Sequence, residues 1–290
     1  MNQPMFRPPA EAGSLILQID RGCPHNQCTF CGMYNTTKHF RRPLSDVIKL
    51  IDIERRHVPG ARRVFLADGD VFARPFEELR LILQELNNAF PRVSRINLYA
   101  NGSSIVAKKS EELRVLRHLK LHTLYMGLES GSDEVLRNCR KRESATQMVQ
   151  AGIMAHEAGL RMSVMVLLGL GGVEGSGRHA AATVAALNEM QPRLFSALRV
   201  VPVPGTVLHQ QVQNGQFKQL SEWGVVDELR TIIAGLELDG TVFRANHSSN
   251  VVPIEGRLPR DKDAMLEMLD LLLASGRLDR NSTGPLPLWL

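Results

Sequence analysis

Six short segments rich in β-branched and aliphatic residues recur along this chain, and most are followed by a segment with helical apolar spacing. Their starts lie about 30 to 50 residues apart, the separation that repeated strand-helix units require. We therefore predict an α/β fold with parallel strands joined by right-handed crossovers. The predicted strands cover residues 14–19, 62–67, 95–100, 123–128, 162–168 and 195–201.

Helical patterns occupy the intervals between these strands and then continue beyond them. Apolar residues of 76–90 fall on one helix face, 144–158 runs from an N-cap serine to a glycine, and a third helix begins near 176 and ends before Pro192. The alternation stops after Pro204-Gly205, where 221–236, 241–244 and 261–274 read as helix, strand and helix. We expect residues 14–206 to form the core and 207–290 an α-rich extension packed on it.

Three of the four cysteines cluster on the loop after the first predicted strand. Cys23, Cys28 and Cys31 form a C-x4-C-x2-C pattern within nine residues. Such clustering indicates metal binding and not a disulfide framework. Three thiolates on one short loop can hold three corners of a cuboidal iron-sulfur cluster, which leaves one iron without a protein ligand. The loop therefore predicts a cluster with an open coordination site.

A structural zinc site is the alternative interpretation of these cysteines. Its tetrahedral coordination would need a fourth ligand, for which the sequence offers His25, His39 or Cys139. Zinc sites more often show ligand pairs in two separated halves, and the sequence has no second cysteine pair. The neighbouring Phe30 has two interpretations as well, as a shield between the cluster and water or as an ordinary core aromatic.

The cysteine loop, with Phe30 just before its last cysteine, resembles that of the radical S-adenosylmethionine (SAM) superfamily. The resemblance is to the branch that contains Elongator-like, methylthiotransferase-like and oxygen-independent coproporphyrinogen oxidase-like enzymes, and it spans about residues 14–206. The usual family spacing is C-x3-C-x2-C, so this loop has one extra residue. The resemblance implies a partial (βα)6 TIM-like barrel and a 4Fe-4S cluster held by Cys23, Cys28 and Cys31.

The same resemblance implies a mechanism. SAM would chelate the fourth iron by its amino and carboxylate groups, and one electron from the reduced cluster would cleave SAM into methionine and a 5′-deoxyadenosyl radical. That radical would take a hydrogen atom from a substrate. The implied activity is that of an oxidoreductase supplied with electrons by a donor such as flavodoxin or ferredoxin.

The remaining strand tips acquire roles by this resemblance, since ligands of such folds gather at the carboxyl ends of the strands. The Asp68-Gly69-Asp70 tip would receive the methionine ammonium group, Glu129 and Ser130 would bind the ribose, and Val203 would line the adenine. Asn101 ends the third strand and is a further predicted SAM contact. Arg161 and Ser163, near the fifth strand, could face the SAM carboxylate. The two aspartates could instead be turn or capping acids, and Arg161 could simply be solvated.

Composition limits the function classes. Net charge is only +5 and aromatic residues make up 5%, so we interpret clusters such as Arg140-Lys141-Arg142 as solvated faces and not as a nucleic-acid track. Residues 1–13 lack a basic region followed by an apolar run, and no apolar run reaches the roughly 20 residues of a membrane span. We therefore expect a cytoplasmic radical enzyme acting on a small molecule. The alternatives are a tRNA-modifying enzyme and a non-enzymatic zinc protein.

Overall fold

The computed structural model describes residues 6–284 and confirms the α/β class, with one mostly parallel eight-stranded sheet. The strands are β1 (Leu15–Gln18), β2 (Asp20–Arg21), β3 (Phe40–Arg41), β4 (Arg63–Ala67), β5 (Arg95–Tyr99), β6 (Leu121–Glu129), β7 (Arg161–Leu168), β8 (Leu194–Arg199), β9 (Thr241–Arg244) and β10 (Glu255–Leu258). The helices are α1 (Leu44–His57), α2 (Phe76–Ala89), α3 (Gly102–Val106), α4 (Ser110–His118), α5 (Asp133–Asn138), α6 (Ala145–Glu157), α7 (Gly172–Met190), α8 (Val207–Gln213), α9 (Glu222–Gly235) and α10 (Lys262–Ala274).

All six predicted strands are observed, as β1, β4, β5, β6, β7 and β8, each within two residues of its expected bounds. They follow one another in this order across the sheet, with β9 and β10 beyond β8. The short strands β2 and β3 pair separately, on either side of the cysteine loop in sequence. This order is the one expected for successive strand-helix units. The fold agrees with a partial TIM-like barrel.

One compact unit comprises the chain up to residue 26 together with 33–126 and 150–162. Within it β1, β4, β5 and the first part of β6 pair in parallel register, for example Leu17 with Leu66. Buried residues on both sides of β4 give the near-continuous apolar run typical of a parallel strand covered by helices. Helices α1 and α2 of this unit pack side by side.

The second unit comprises residues 27–32, 127–149 and 163 onwards. In it β7, β8 and β9 run parallel, and β10 pairs antiparallel with β9. The rings of Phe195 on β8 and Phe243 on β9 lie 5.3 Å apart and are fully buried, so they join the two strands in one core. The segment after residue 206 therefore adds two strands to the sheet besides its helices, a feature that the sequence pattern showed only in part.

The predicted boundary at residue 206 stays a prediction, and residues 285–290 of the expected extension lie outside the described chain. No helix within residues 6–284 is both long enough and apolar enough to cross a lipid bilayer.

Candidate active site

The first cysteine of the motif lies just after β1 and β2, in a tightly enclosed stretch of backbone. Gly22 has φ of +74°, a conformation that favours glycine. A Cβ atom added to Gly69 would lie 2.7 Å from Cys23 Cα and 2.7 Å from the Gly22 carbonyl oxygen. The tip of β4 therefore packs directly against the backbone of Cys23, and a side chain at position 69 would displace it.

A buried arginine holds the segment that leads into this loop. Arg74 Nη2 donates to Asp20 Oδ1 at 2.6 Å and to the Ile19 carbonyl at 3.0 Å, and it also reaches the Arg42 carbonyl at 2.7 Å. The Arg74 and Asp20 side chains are almost completely buried. Arg74 Nη1 also pairs with Glu78 at 2.8 Å, so removal of Arg74 would leave the buried Asp20 charge without its partner. Arg74 therefore holds both the backbone of Ile19 and the side chain of Asp20, just before Cys23.

The two aspartates at the β4 tip have different surroundings. Asp70 accepts from the Asn101 backbone N–H at 3.1 Å and from the Ser104 hydroxyl at 2.5 Å, so it links this tip to the start of α3. Asp68 Oδ2 accepts from Gln18 Nε2 at 2.8 Å and from the Gly22 N–H at 3.1 Å. Its other oxygen, Oδ1, is buried without a hydrogen-bond partner within residues 6–284.

Burial raises the pKa of Asp68 above its ordinary value, with the two hydrogen bonds to its carboxylate acting in the opposite direction. Burial and then the Asp68 charge raise the pKa of Tyr34 as well. A hydrogen bond from the Gly69 backbone acts on the pKa of Tyr34 in the opposite direction. Asp68 Oδ1 thus supplies an unpartnered buried atom that a ligand could satisfy, on the unit that carries Cys23.

The last two cysteines flank a segment that is hydrogen-bonded on both sides. Thr29 is buried, its N–H donates to the Cys139 carbonyl at 2.9 Å, and its carbonyl accepts from the Leu208 N–H at 2.9 Å. These bonds connect the loop to the end of α5 and to the start of α8. Phe30 packs on an apolar cluster of Val135, Cys139, Leu170, Val200 and Leu208. Phe30 therefore has a core role in the structure, whether or not it also excludes water from a cofactor.

Val203, the residue predicted to line the adenine, follows β8 and lies against the same loop. A Cβ atom on Gly32 would come within 2.9 Å of Val203 Cγ1, so the glycine after Cys31 permits this approach. Val203 itself is half-buried. The structure thus places Val203 next to the last cysteine of the motif.

Electrostatics distinguish Cys28 among the cysteines. Burial raises the pKa of its thiol to about 12, and the positive charge of Lys141 is the strongest influence in the other direction. Without further positive charge the thiol therefore stays protonated at neutral pH. A bound metal centre deprotonates a coordinating thiol.

The lysine in question is buried in an ion pair. Lys141 Nζ lies 3.3 Å from Glu129 Oε1, and the two side chains are 7% and 10% exposed. Burial alone would lower the pKa of Lys141, but the charges of Glu129 and Cys28 outweigh it and the net direction is upward. Glu129 has φ of +61°, an uncommon conformation for a residue with a side chain. The expectation that the Arg140-Lys141-Arg142 cluster is a solvated face is therefore wrong for its middle residue.

The other predicted contacts lie in different environments. The Ser130 hydroxyl is fully buried, accepts from the Ser132 N–H at 3.0 Å and lies 2.8 Å from His179 Nδ1. Asn101 is the N-cap residue of α3. Arg161 is exposed at the first position of β7, beside His122, and Ser163 is buried two positions later.

These two β7 positions stand at the amino end of their strand. Arg161 is separated from the strand's carboxyl end at Leu168 by roughly 20 Å at the usual rise per residue. Since ligands of parallel folds gather at the carboxyl ends, this placement does not support Arg161 or Ser163 as SAM contacts.

Cys139, His25 and His39 are the candidate fourth ligands of the zinc alternative. Cys139 is buried and its thiol lies 3.3 Å from the Leu136 carbonyl oxygen, while His25 and His39 are half-buried. Throughout residues 6–284, no group of three or more histidine, cysteine, aspartate or glutamate side chains is arranged to hold a single metal ion. A cuboidal cluster places each thiolate on a different iron, so its ligands need not meet at one point.

Residues 243–250 contain a run of polar side chains that covers the end of β9 and the hydrogen-bonded turn after it. Asn250 Nδ2 donates to the carbonyls of Ala197 and Ala245 at 2.9 and 2.8 Å, and its Oδ1 accepts from the Arg199 N–H at 2.7 Å. His247 Nδ1 lies 2.9 Å from Ser249 Oγ. These contacts account for much of the polarity of the run by local structure.

Comparison with known proteins decides the family. The profile of the radical SAM superfamily matches residues 17–179, more than half of the chain. The chain belongs to the radical SAM superfamily. This radical SAM chain is accordingly an enzyme, and its family generally uses a 4Fe-4S cluster and SAM. None of the curated proteins matches its sequence.

Solved structures with the same fold support this placement. Methylornithine synthase (PylB) is 16% identical with a TM-score of 0.53, over 89% of this radical SAM chain and 81% of its own. Coproporphyrinogen III oxidase (HemN) from Escherichia coli is 18% identical with a TM-score of 0.59, over 76% and 51% respectively. The methyltransferase TsrM from Kitasatospora setae, with cobalamin and a [4Fe-4S] cluster bound, is 15% identical with a TM-score of 0.56, over 70% and 39%. The radical SAM chain thus spans about half of the oxidase and less of the methyltransferase.

Sequence reasoning missed three residues that shape this site, Arg74, Lys141 and Tyr34, and a buried carboxylate elsewhere on the second unit, Glu228. Arg74 and Lys141 stand among other basic residues, and Tyr34 stands in a polar loop, so nothing in the pattern indicates that they are buried. Glu228 lies on α9, and its apolar neighbours on that helix were the available sign that this face is covered.

Proposed function

We propose that this radical SAM enzyme binds a 4Fe-4S cluster through Cys23, Cys28 and Cys31 and uses it to cleave SAM reductively, with a small molecule as substrate. When bound, the reduced cluster supplies the electron that converts SAM to methionine and a 5′-deoxyadenosyl radical, which abstracts hydrogen. The observation that carries the proposal is the C-x4-C-x2-C loop directly after the first strand of a radical SAM domain.

The surroundings of the loop support a group that needs thiolate ligands on a fixed backbone. Gly69 leaves no space for a side chain beside Cys23, and Gly32 allows Val203 to close on Cys31, so the backbone at both ends is held in place. Cys28 must lose its proton to act as a ligand. Lys141 assists that loss, because its buried positive charge favours the thiolate.

Individual residues would receive SAM. Asp68 presents the buried and unpartnered oxygen Oδ1, which suits the methionine ammonium group as a charge-assisted acceptor. Asp70 positions this tip by binding the start of α3. Glu129, held by Lys141, would face the ribose, and Val203 the adenine. Phe30 and its apolar neighbours would keep water from the reacting atoms.

A small-molecule substrate is supported by the likeness to methylornithine synthase, which is named for a small product and covers 89% of this chain. We further propose that the enzyme is an oxidoreductase of the cytoplasm and that a protein such as flavodoxin or ferredoxin supplies the electron. Incubation of the reduced enzyme with deuterated cell extract, followed by mass analysis of 5′-deoxyadenosine for the label, would reveal whether that extract contains the substrate.

Matched cysteine variants test the ligand assignment. Cys28→Ala removes a half-buried thiol and Cys139→Ala a buried one, but only the first removes a proposed ligand. After anaerobic reconstitution we expect Cys28→Ala to lose the iron-sulfur absorption and 5′-deoxyadenosine release, and Cys139→Ala to retain both. A Cys28→Ala protein with full iron content and full SAM cleavage contradicts the proposal.

A further inference from the structure

Glu228 on α9 is a buried carboxylate with two donors. Its side chain has no solvent exposure. Oε1 accepts from the Gly169 N–H at 2.6 Å, and Oε2 accepts from the Ser176 hydroxyl on α7. A buried carboxylate is unfavourable unless its oxygens are hydrogen-bonded, so the position is occupied for a specific set of contacts. Those contacts join α9 to the turn that follows β7.

His179 extends the contacts of Glu228 to a second strand tip. This fully buried residue of α7 has Nδ1 at 2.8 Å from Ser130 Oγ. Its Nε2 lies 3.6 Å from Glu228 Oε1, a contact longer than a hydrogen bond, and has no hydrogen-bond partner among the described residues. One helical turn further along α7, Thr183 Oγ accepts from the Gly131 N–H at 3.0 Å. Two side chains on one face of α7 therefore hold the tip that follows β6.

The turn after β7 has one side chain of its own to anchor it. It reads Gly169-Leu170-Gly171-Gly172, with positive φ at the first and last glycine. Leu170 is buried in the apolar cluster, whereas the three glycines leave the backbone around it free to adopt many conformations. The Glu228 carboxylate adds a second restraint by binding the N–H of Gly169.

We propose that Glu228 is a positioning residue for SAM, which through His179 and Ser130 fixes the tips after β6 and β7 in their binding geometry. The inference deepens the proposed function and rests on it, since Glu129 at the β6 tip is a proposed ribose contact. Glu228 itself touches neither SAM nor the cysteines in this account. It acts by holding the backbone that carries the contacts, through its hydrogen bond to the Gly169 N–H and its close approach to His179.

Equilibrium dialysis of radiolabelled SAM against the anaerobically reconstituted enzyme measures the effect. We expect Glu228→Ala to weaken SAM binding about tenfold, in the range of coupling found in buried networks. The KM for SAM in 5′-deoxyadenosine release should rise while kcat changes little, the sign of lost binding that is common to ground and transition state. Glu228→Gln should stay within about twofold of wild type, because its amide can accept from Gly169 and donate to Ser176.

Arg230→Gln is the matched control on the same helix. It removes two hydrogen bonds to Asp270 on the exposed side of α9, so it perturbs the packing of α9 and α10 without touching the network. We expect wild-type SAM affinity from this variant.

A double-mutant cycle separates positioning from general loss of stability. Ser130→Ala and Glu228→Ala are each expected to weaken SAM binding, and the double variant should be little worse than the stronger single one, because the network is already broken. Should Glu228→Ala not fold, His179→Phe takes its place in the cycle, since it keeps a ring in the buried space.

The outcomes distinguish the two proposals. A wild-type enzyme that holds its cluster but binds no SAM overturns the proposed function and the inference together. Wild-type binding with unchanged affinity in folded Glu228→Ala, or strictly additive effects in the cycle, overturns the positioning role alone. Weakened binding in Arg230→Gln of the same size as in Glu228→Ala overturns it as well, because any disturbance of α9 would then suffice.

Discussion

The buried pair of Glu228 and His179 predicts two single variants whose stability changes with pH in opposite directions. Burial raises the pKa of Glu228 from 4.5 to about 7 and lowers that of His179 from 6.5 to about 4. Each pKa unit is worth about 1.4 kcal/mol of free energy. The difference between the folded and unfolded pKa of each residue therefore changes the unfolding free energy by about 3 kcal/mol across its pH window.

The signs follow from the protons bound in each state. Between pH 4.5 and about 7 the folded chain keeps a proton on Glu228 that the unfolded chain has lost, so this contribution to stability falls as pH rises. Between about pH 4 and 6.5 the unfolded His179 carries a proton that the folded one lacks, so this contribution rises with pH and is complete above 6.5. In the wild-type chain the two slopes largely cancel where the windows overlap.

Removal of one partner exposes the slope of the other. Relative to wild type, the unfolding free energy of Glu228→Gln should increase by about 3 kcal/mol from pH 4.5 to 7, and that of His179→Phe should decrease by about the same amount from pH 4 to 6.5. Urea unfolding of the reduced chain at a series of pH values, followed by circular dichroism and tryptophan fluorescence, measures both. Parallel pH profiles for the two variants and wild type would refute the reasoning, because they would mean that neither group titrates abnormally.

Two further substitutions test the framework of the site. Gly69→Ala should destabilise the chain by about 1–3 kcal/mol and lower its iron content on reconstitution, because the new methyl group meets the Cys23 backbone at 2.7 Å; Gly60→Ala, with open space around it, should do neither. Equal thermal unfolding of the two alanine variants would contradict the close packing. Lys141→Met should cost about 3–5 kcal/mol by leaving Glu129 buried and unpaired, and adding Glu129→Gln should restore most of it. Urea unfolding of the single and double variants checks this, and a double variant no more stable than Lys141→Met would count against the ion pair.

The periodic part of the fold could be predicted from the sequence because it depends on local apolar patterns. The strand predicted at 162–168 is mostly apolar, as expected for a parallel strand covered by helices. Helix α7 ends at Met190, just before Pro192, as the sequence predicts. The short helices α3 and α5 escaped prediction, since five or six residues are too few to establish a 3.6-residue period. Strand β10 escaped it because Glu255–Leu258 has little apolar content.

Of the candidate site, only the cysteine motif could be predicted from the residues alone, because it depends on the spacing of three cysteines. Three cysteines in nine residues indicate a metal centre without any knowledge of the fold. Lys141 and Glu228 each stand among several charged residues, and only the structure shows that these two side chains are the ones that turn inward. Arg161 lies at the amino end of β7, so its predicted contact with SAM has no support from neighbouring groups and stays a prediction.

The central claim is that Cys23, Cys28 and Cys31 hold a cluster whose open iron binds SAM. Iron and sulfide analysis of the protein after anaerobic reconstitution, joined to an assay for 5′-deoxyadenosine after reduction in the presence of SAM, tests it most directly. We expect about four irons and four sulfides per chain, and the release of 5′-deoxyadenosine together with methionine. A folded protein that stays free of iron under strict exclusion of air would contradict it.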